Sequence, residues 1–493
     1  MSKSGCLVHL VRAKSAKPTN RFYPNLALPT LASVLRDKCK VEIHDLGQSE
    51  RAKYIEHVQN TKPKAIGFTS FIDDFGDVLS LASECKNVSE NSFIIVGGPH
   101  VSVLGGSNAT ISKFIDFAVI GEGENTICKL IQMLSDYGNP QKTGQTHVVW
   151  SESFYNLESA LPPAWDLYDR TPFFPVLPVE TARGCPYLCK YCGEGWMYGK
   201  KVRAKNIEQV VRELKINVEE MDVRFFRFTD SVLNFSKKRF LELCRAFIDS
   251  KLEIRWSAYA RFETIEPSFL AIAKESGCAS LFFGIESGSE NILKNVRKKL
   301  TSTDHMRKVI STAKDIGLHT HCNFIVGFPD ESIHSVGESM RLIRDISPDS
   351  VHISTFFVVP QTDMHINSEK YGIQFLDPNW IKNQHLFFGD STYSYFRHRT
   401  MTQDDIRMYY SIMRNEIEQI ESIYWNMKDH VLLTWLSAGG SETGLKRIWR
   451  KPEQYLNAYE LKHFEAFKEK DIRRVDDEQN SKKVITELAL RFR

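Results

Sequence analysis

The chain has 493 residues, 42% of them hydrophobic and 25% charged, and its 64 Lys+Arg against 61 Asp+Glu leave a formal net charge of +3. That balance, without a long basic run, excludes nucleic acid as the main partner, and the composition excludes disorder, collagen-like repeats and coiled coil. The length implies about three units at about 150 residues per domain.

From residue 5 to about 138, short apolar runs alternate with amphipathic ones. Strands are predicted over 5–12, 40–45, 65–70, 93–96 and 116–120, with helices over 26–35, 78–85 and 125–134 between them. Such alternation implies a doubly wound parallel sheet, whose ligands sit beyond the carboxyl ends of the strands. The candidate ligand-facing residues there are Thr69 and Ser70, Gly97, Gly98 and His100, and Gly121 and Glu122. Residues 139–177 break periodicity at several prolines and read as a connector.

A second alternating series follows. Strands are predicted over 179–182, 224–228, 254–259, 280–285, 319–326 and 350–358, and helices over 207–216, 240–248, 270–275 and 335–346, which suits a partial (β/α)6 barrel. From about 400 the pattern is helical, over 404–423 and 427–436, with Tyr409, Tyr410, Tyr424, Trp425 and Trp435 as core, and 468–483 reads as a charged, solvated stretch. The expected α/β organisation is therefore a sheet domain over 1–140, a linker over 141–177, a barrel over 178–395 and a helical domain over 396–493. No window approaches the roughly 18 apolar residues of a membrane span, and no secretory signal is visible. A cytoplasmic protein is expected.

Ten cysteines are too few for a disulfide-stapled scaffold, yet Cys185, Cys189 and Cys192 crowd into one short segment just after the first barrel strand. A structural zinc site needs four ligands, usually local. There is no histidine between His147 and His305, and the next cysteine is Cys244. Three thiolates on a four-iron cluster would instead leave one iron open, unlike the four-cysteine clusters that only carry electrons. The run Ala182-Arg-Gly-Cys185-Pro-Tyr-Leu-Cys189-Lys-Tyr191-Cys192 resembles the signature of radical S-adenosylmethionine enzymes, including the aromatic Tyr191. The resemblance implies a 4Fe-4S cluster whose open iron chelates S-adenosylmethionine, and an external electron donor such as flavodoxin or ferredoxin. Cleavage of the sulfonium then yields a 5′-deoxyadenosyl radical that abstracts hydrogen from carbon.

Further segments are similar to the same superfamily. Phe228-Thr-Asp230 implies a polar group near the methionine amine, and Arg261 a partner for its carboxylate. Within Phe283-Gly-Ile-Glu286-Ser-Gly, Glu286 is the expected ribose ligand. Asn323-Phe-Ile325-Val-Gly327-Phe-Pro-Asp330 resembles the adenine-binding motif, with Ile325 and Gly327 as contacts; it departs at Asn323, where glycine is usual, and at Asp330, where glutamate is usual. Tyr23-Pro-Asn-Leu-Ala-Leu-Pro29, Val41-Glu-Ile-His-Asp45, Gly97-Gly-Pro-His100 and Gly121-Glu-Gly-Glu124 resemble the cobalamin-binding-domain branch, although the Asp-x-His-x-x-Gly motif for a lower axial histidine is absent. The resemblance implies cobalamin-dependent methylation of an unactivated carbon in a small-molecule substrate. The alternative is radical chemistry without cobalamin, with the sheet as scaffold. A second cluster on Cys6, Cys39 and Cys85 is disfavoured, because each sits in an apolar run. Substrate recognition is expected from the C-terminal helices and the barrel mouth, with Glu194, Tyr198 and His352 as rim candidates.

Overall fold

The computed structural model describes residues 6–13, 23–46, 50–105, 112–136, 145–299, 301–378, 380–381, 395–469 and 478–493. Gly5, the break at 138–140 and the middle of the 468–483 stretch lie outside the described residues. The first sheet runs β1 (Leu7–Arg12), α1 (Ala27–Leu35), β2 (Lys40–Asp45), α2 (Arg51–Thr61), β3 (Ala65–Thr69), α3 (Phe75–Val88), β4 (Phe93–Gly97), α4 (Pro99–Leu104), β5 (Phe117–Ile120) and α5 (Gly123–Asp136). Its strands are parallel in the order β2-β1-β3-β4-β5, with a sixth beside β5. Both faces of β3 and β5 are buried, as expected of central parallel strands under helices. The sixth strand, β6 (His147–Trp150), falls inside the expected connector and extends the sheet beside β5. Its four residues are half-buried or exposed, the pattern of an edge, so periodicity alone carried too little signal.

In the second unit β7 (Val176–Val179) ends where the first barrel strand was expected to begin. The chain breaks off into a short antiparallel ribbon of β8 (Ala182–Arg183) and β9 (Arg203–Ala204), with α6 (Glu194–Met197) between them. After α7 (Ile207–Met221) come β10 (Phe225–Phe228), α8 (Lys237–Ser250), β11 (Arg255–Ala260), α9 (Pro267–Glu275) and β12 (Cys278–Glu286). Then follow α10 (Glu290–Asn295), α11 (Thr303–Asp315), β13 (His319–Val326), α12 (Ile333–Ile346) and β14 (Ser350–Thr355). The six strands are parallel neighbours in chain order, the arrangement of an open barrel wall.

The C-terminal part holds α13 (Asp363–Ile366), the hairpin β15 (Ile373–Phe375) and β16 (Phe396–His398), α14 (Gln403–Glu418), β17 (Tyr424–Trp425), α15 (Asp429–Ser437), α16 (Glu442–Trp449), α17 (Ala458–Glu469) and α18 (Glu478–Arg491). Tyr424 and Trp425, expected only as core aromatics, add a seventh parallel strand beside β14. Helices α15 and α16 do not cap the mouth. They cover the opposite end, where strands begin: Ser350 Oγ donates to Met427 O at 2.8 Å, Lys446 pairs with Asp349 at 3.2 Å, and Glu442 faces His319 at 3.6 Å. Trp435 is wholly buried in this floor, with Val484, Ile485 and Leu488 of α18 in the same core. The buried apolar residues of α18 begin at Val484, just past the 468–483 stretch, and lie three and four apart on one face; within the stretch Lys483 is exposed and Ser481 is buried.

Candidate active site between two sheets

The three thiols sit on the loop from Gly184 to Gly193. Gly184 has φ +91°, and a Cβ there would lie 2.9 Å from Lys201 O, so the loop turns where only glycine fits. Lys190 N donates to Val296 O at 3.0 Å and Met364 N to Lys190 O at 3.1 Å, clamping the segment between Cys189 and Cys192. Tyr191 packs edge-on against Phe328 at 5.2 Å. Burial raises the Cys185 thiol and pushes that of Cys192 up to about 12, and the neighbouring thiols add to both shifts. Deprotonation is thus unfavourable unless metal charge compensates it.

The donor set fits a cluster better than a single ion. Tetrahedral zinc with sulfur at about 2.3 Å puts its thiolates about 3.8 Å apart. The three sulfurs are not among the described ligand groups whose atoms all lie within 4.8 Å of one another. Cys244, the next cysteine, is buried in the barrel core. Cys6 and Cys39 lie in one core of the first sheet and Cys85 in another, which does not assemble a second site.

The other barrel candidates divide. Arg261 is buried beside the loop, its guanidinium 4.0 Å from Cys189 Sγ, stacked over Tyr187 at 3.8 Å and paired with Glu263. Glu286 has a left-handed backbone at φ +73°, and its carboxylate accepts from Lys298 Nζ at 2.8 Å and Asn323 Nδ2 at 3.2 Å. Ile325 packs into the apolar cluster that also holds Tyr191 and Phe328. Asp230 is turned away from the loop interior: it accepts from Thr181 N at 2.6 Å and Ala182 N at 3.1 Å, bracing the strand that leads into the cysteines. Its neighbours Thr229 and Ser231 face the cavity instead. Asp330 is exposed, whereas the buried carboxylate of Glu331, one residue later, accepts the Gly327 N–H. Sequence reasoning missed Glu331, although a one-residue shift of the motif would have found it.

The order β2-β1-β3 puts the switch point of the first sheet beyond β1 and β3. A cavity of about 600 Å³ opens there. One wall holds Leu10, Arg12, Gly67, Thr69, Gly97, Gly98 and Gly121; the other holds Pro178, Glu180, Ala182, Glu194, Met197 and Tyr198 from the barrel side. Gly98 has φ +99°, and a Cβ would come within 2.7 Å of the Ser70 backbone, so a side chain would force the turn into the cavity wall. Ser70 and His100 do not line the cavity. Ser70 is fully buried, and His100 is buried against Phe75 at 4.6 Å. Glu122 lines it, but its carboxylate is taken by Arg203 and by Tyr155 N, the latter at 2.6 Å, with Arg183 at 3.4 Å. No histidine is among the described lining residues. His352 lies within β14, 6.1 Å from Trp425, and is not part of the wall, unlike Glu194 and Tyr198.

Arg183 joins the two units. It donates to Glu124 Oε1 at 2.6 Å and to Glu180 Oε2 at 2.8 Å. Burial pushes Glu180 up, while its carboxylate neighbours hold the Arg183 guanidinium charged.

Residues 179–343 match the radical SAM superfamily and residues 19–131 the B12-binding domain. The chain is 31% identical over 362 residues to an uncharacterised methyltransferase of Pyrococcus horikoshii, spanning 69% of this chain and 77% of that one. It is 24% identical over 330 residues to the anaerobic magnesium-protoporphyrin IX monomethyl ester cyclase of Rubrivivax gelatinosus, spanning 63% of this chain and 59% of the cyclase. Its fold is that of the radical S-adenosylmethionine methyltransferase TsrM from Kitasatospora setae, solved with tryptophan and an S-adenosylmethionine analogue, with a TM-score of 0.72 at 16% identity over 91% of this chain and 98% of that one. With its thiol loop on a barrel wall and a switch-point cavity lined by residues that flank that loop, the chain belongs to the radical S-adenosylmethionine superfamily, in the branch with an N-terminal B12-binding domain.

Proposed function

We propose that this chain is a cobalamin-dependent radical S-adenosylmethionine methyltransferase acting on an unactivated carbon of a small biosynthetic intermediate. The observation that carries this is the shared cavity: one side is the glycine-rich edge of the first sheet, and the other reaches Arg183 and Glu194, which flank the cysteine loop. In this reading Cys185, Cys189 and Cys192 hold the cluster, and Arg261, Glu286, Ile325 and Gly327 flank the S-adenosylmethionine. Thr69, Gly97, Gly98 and Gly121 form the corrin wall, without a histidine ligand from the described lining. When bound, the cluster and S-adenosylmethionine supply one-electron cleavage of a sulfonium, and cobalamin supplies a carrier for the methyl group.

The chain's own part is positioning. Glu180, Arg183 and Glu124 set the distance between the two walls, and Thr229, Ser231 and Glu194 present polar groups to a substrate between them. Residues 1–140, extended by β6, form the corrin side; 178–395 form the radical side; the unit from 396 supports the barrel floor. Phe328, Met364, Trp380 and Phe396 belong to a buried apolar cluster against which Tyr191 of the cysteine loop and Ile325 pack. A low-potential donor such as flavodoxin or ferredoxin delivers the electron, and the ten free cysteines suit a reducing cytoplasm. Among the described residues no helix is long and apolar enough to cross a membrane.

Anaerobically reconstituted protein given a reductant, cobalamin and S-adenosylmethionine should form both 5′-deoxyadenosine and S-adenosylhomocysteine. Release of 5′-deoxyadenosine alone, from protein that takes up no corrin, would select the cobalamin-independent alternative. Zinc without iron would overturn the enzyme assignment.

A further inference from the structure

A second cluster of ligand side chains lies in the first sheet, away from the cavity. His9 of β1, Glu42 and His44 of β2 and His57 of α2 bring one ligand atom each to within 4.8 Å of one another. Glu42 Oε2 is the shared centre, at 2.8 Å from His57 Nε2, 3.4 Å from His9 Nε2 and 3.7 Å from His44 Nε2. Its other oxygen accepts from Lys40 Nζ at 2.8 Å. None of the four lines the cavity.

We propose that His9, Glu42, His44 and His57 form a structural site for one divalent transition-metal ion of the zinc class. Tetrahedral zinc with ligands at about 2.0–2.1 Å separates them by about 3.3 Å, and the three distances to Glu42 bracket that value. An ordinary ion pair accounts for His57 only. His9 is wholly buried, and the Nε2 atoms of both His9 and His44 are buried without a hydrogen-bond partner. Leaving two such buried atoms unsatisfied is costly; a cation among them satisfies both. His9 Nδ1 lies 3.4 Å from the Tyr54 hydroxyl, so an Nδ1–H donor would leave Nε2 as the free lone pair, the usual arrangement around a metal-bound imidazole.

Protonation points the same way. Burial pushes His9 down to about 3 and His44 down to about 4. Although burial alone would raise Glu42, hydrogen bonds from Lys40 and His57 pull it down to about 2. At the floor group His319, Asp349 and Glu442, Lys446 pairs with both carboxylates, at 3.2 Å and 2.6 Å, whereas Lys40 takes only Glu42 Oε1 and leaves to the three histidines the Oε2 they share. An ion at the first group would clip edge strand β2 and helix α2 to β1.

Cobalt(II) added to the full-length, cluster-loaded chain tests this. One equivalent should bind with the visible bands of a tetrahedral nitrogen and oxygen site, lack thiolate-to-cobalt charge transfer, and be displaced by zinc. His44→Gln and His57→Gln should each weaken binding at least about tenfold while iron content stays unchanged. Zinc should also raise the melting temperature of the unsubstituted chain, a readout that needs no variant. Cobalt bound only with thiolate bands, binding unaffected by both substitutions, or an unsubstituted chain that takes up no cobalt and gains no thermal stability from zinc would overturn the site.

Discussion

The Arg183 guanidinium donates to the Glu124 carboxylate at 2.6 Å, across the seam between the barrel and the first sheet. Arg183 stands two residues before the first cluster cysteine, and Glu124 opens the helix after β5. The loop that would hold the radical cofactor is therefore tied directly to the wall that would hold the corrin.

Removing one member of that pair should be costly. Glu124→Ala removes one of the carboxylates that compensate Arg183, which keeps Glu180 and Glu122, so the loss stays below the about 3–5 kcal/mol of a buried charge left without any partner. The expected result is a lower melting temperature together with weaker corrin retention, measured by thermal denaturation and by corrin absorbance after gel filtration. Unchanged values for both would show the seam to be incidental.

The thiol assignment predicts a sharp difference among cysteines. Cys185→Ala, Cys189→Ala and Cys192→Ala should each reduce reconstituted iron well below about four per chain and abolish 5′-deoxyadenosine formation. Cys85→Ala, in the first sheet, should keep the iron, since its buried thiol lies in a separate core. Iron analysis of the four variants checks this.

Gly98→Ala forces a Cβ to within 2.7 Å of the Ser70 backbone at a φ of +99°. Strain of this kind costs about 1–3 kcal/mol. Corrin affinity should fall more than cluster content, because the turn belongs to the first sheet alone. Equal loss of both cofactors would argue for global unfolding instead.

Glu331 carries a pH signature. Burial pushes its carboxyl up to about 7 from an ordinary value of 4.5, against the pull of the Gly327 and Phe328 N–H groups. The folded state then holds a proton that the unfolded state has released, so this group's contribution lowers stability as pH rises from about 4.5 to 7 and is level outside that window. The effect reaches about 3 kcal/mol. Glu331→Gln should remove that slope, seen as melting temperatures of parent and variant that diverge between pH 5 and about 7.

Much of the fold was legible. Strands over 40–45 and 319–326 coincide with β2 and β13: β13 is buried at six of its eight positions, and β2, although an edge strand, is legible from the apolar and polar alternation Val41-Glu42-Ile43-His44. Edge strands β6 and β17 were missed, having only four and two residues and no buried stripe. For the candidate site, residue type was readable and direction was not. Asp230, His100 and Glu122 were named for ligand contact, yet the first braces Thr181, the second packs on Phe75, and the third is held by Arg203.

The sequence by itself determined the alternation of strands and helices, the family, and the three-thiol set, because periodicity and an eight-residue ligand segment are local properties of the chain. Tertiary structure alone decided which acidic groups bridge the two units, why the last helices close the barrel floor instead of its mouth, and how His9 meets Glu42. That last contact depends on the parallel register of β1 and β2, which sets these two residues side by side. Register and strand order are set by burial summed over whole sheets, so no short window of residues contains them.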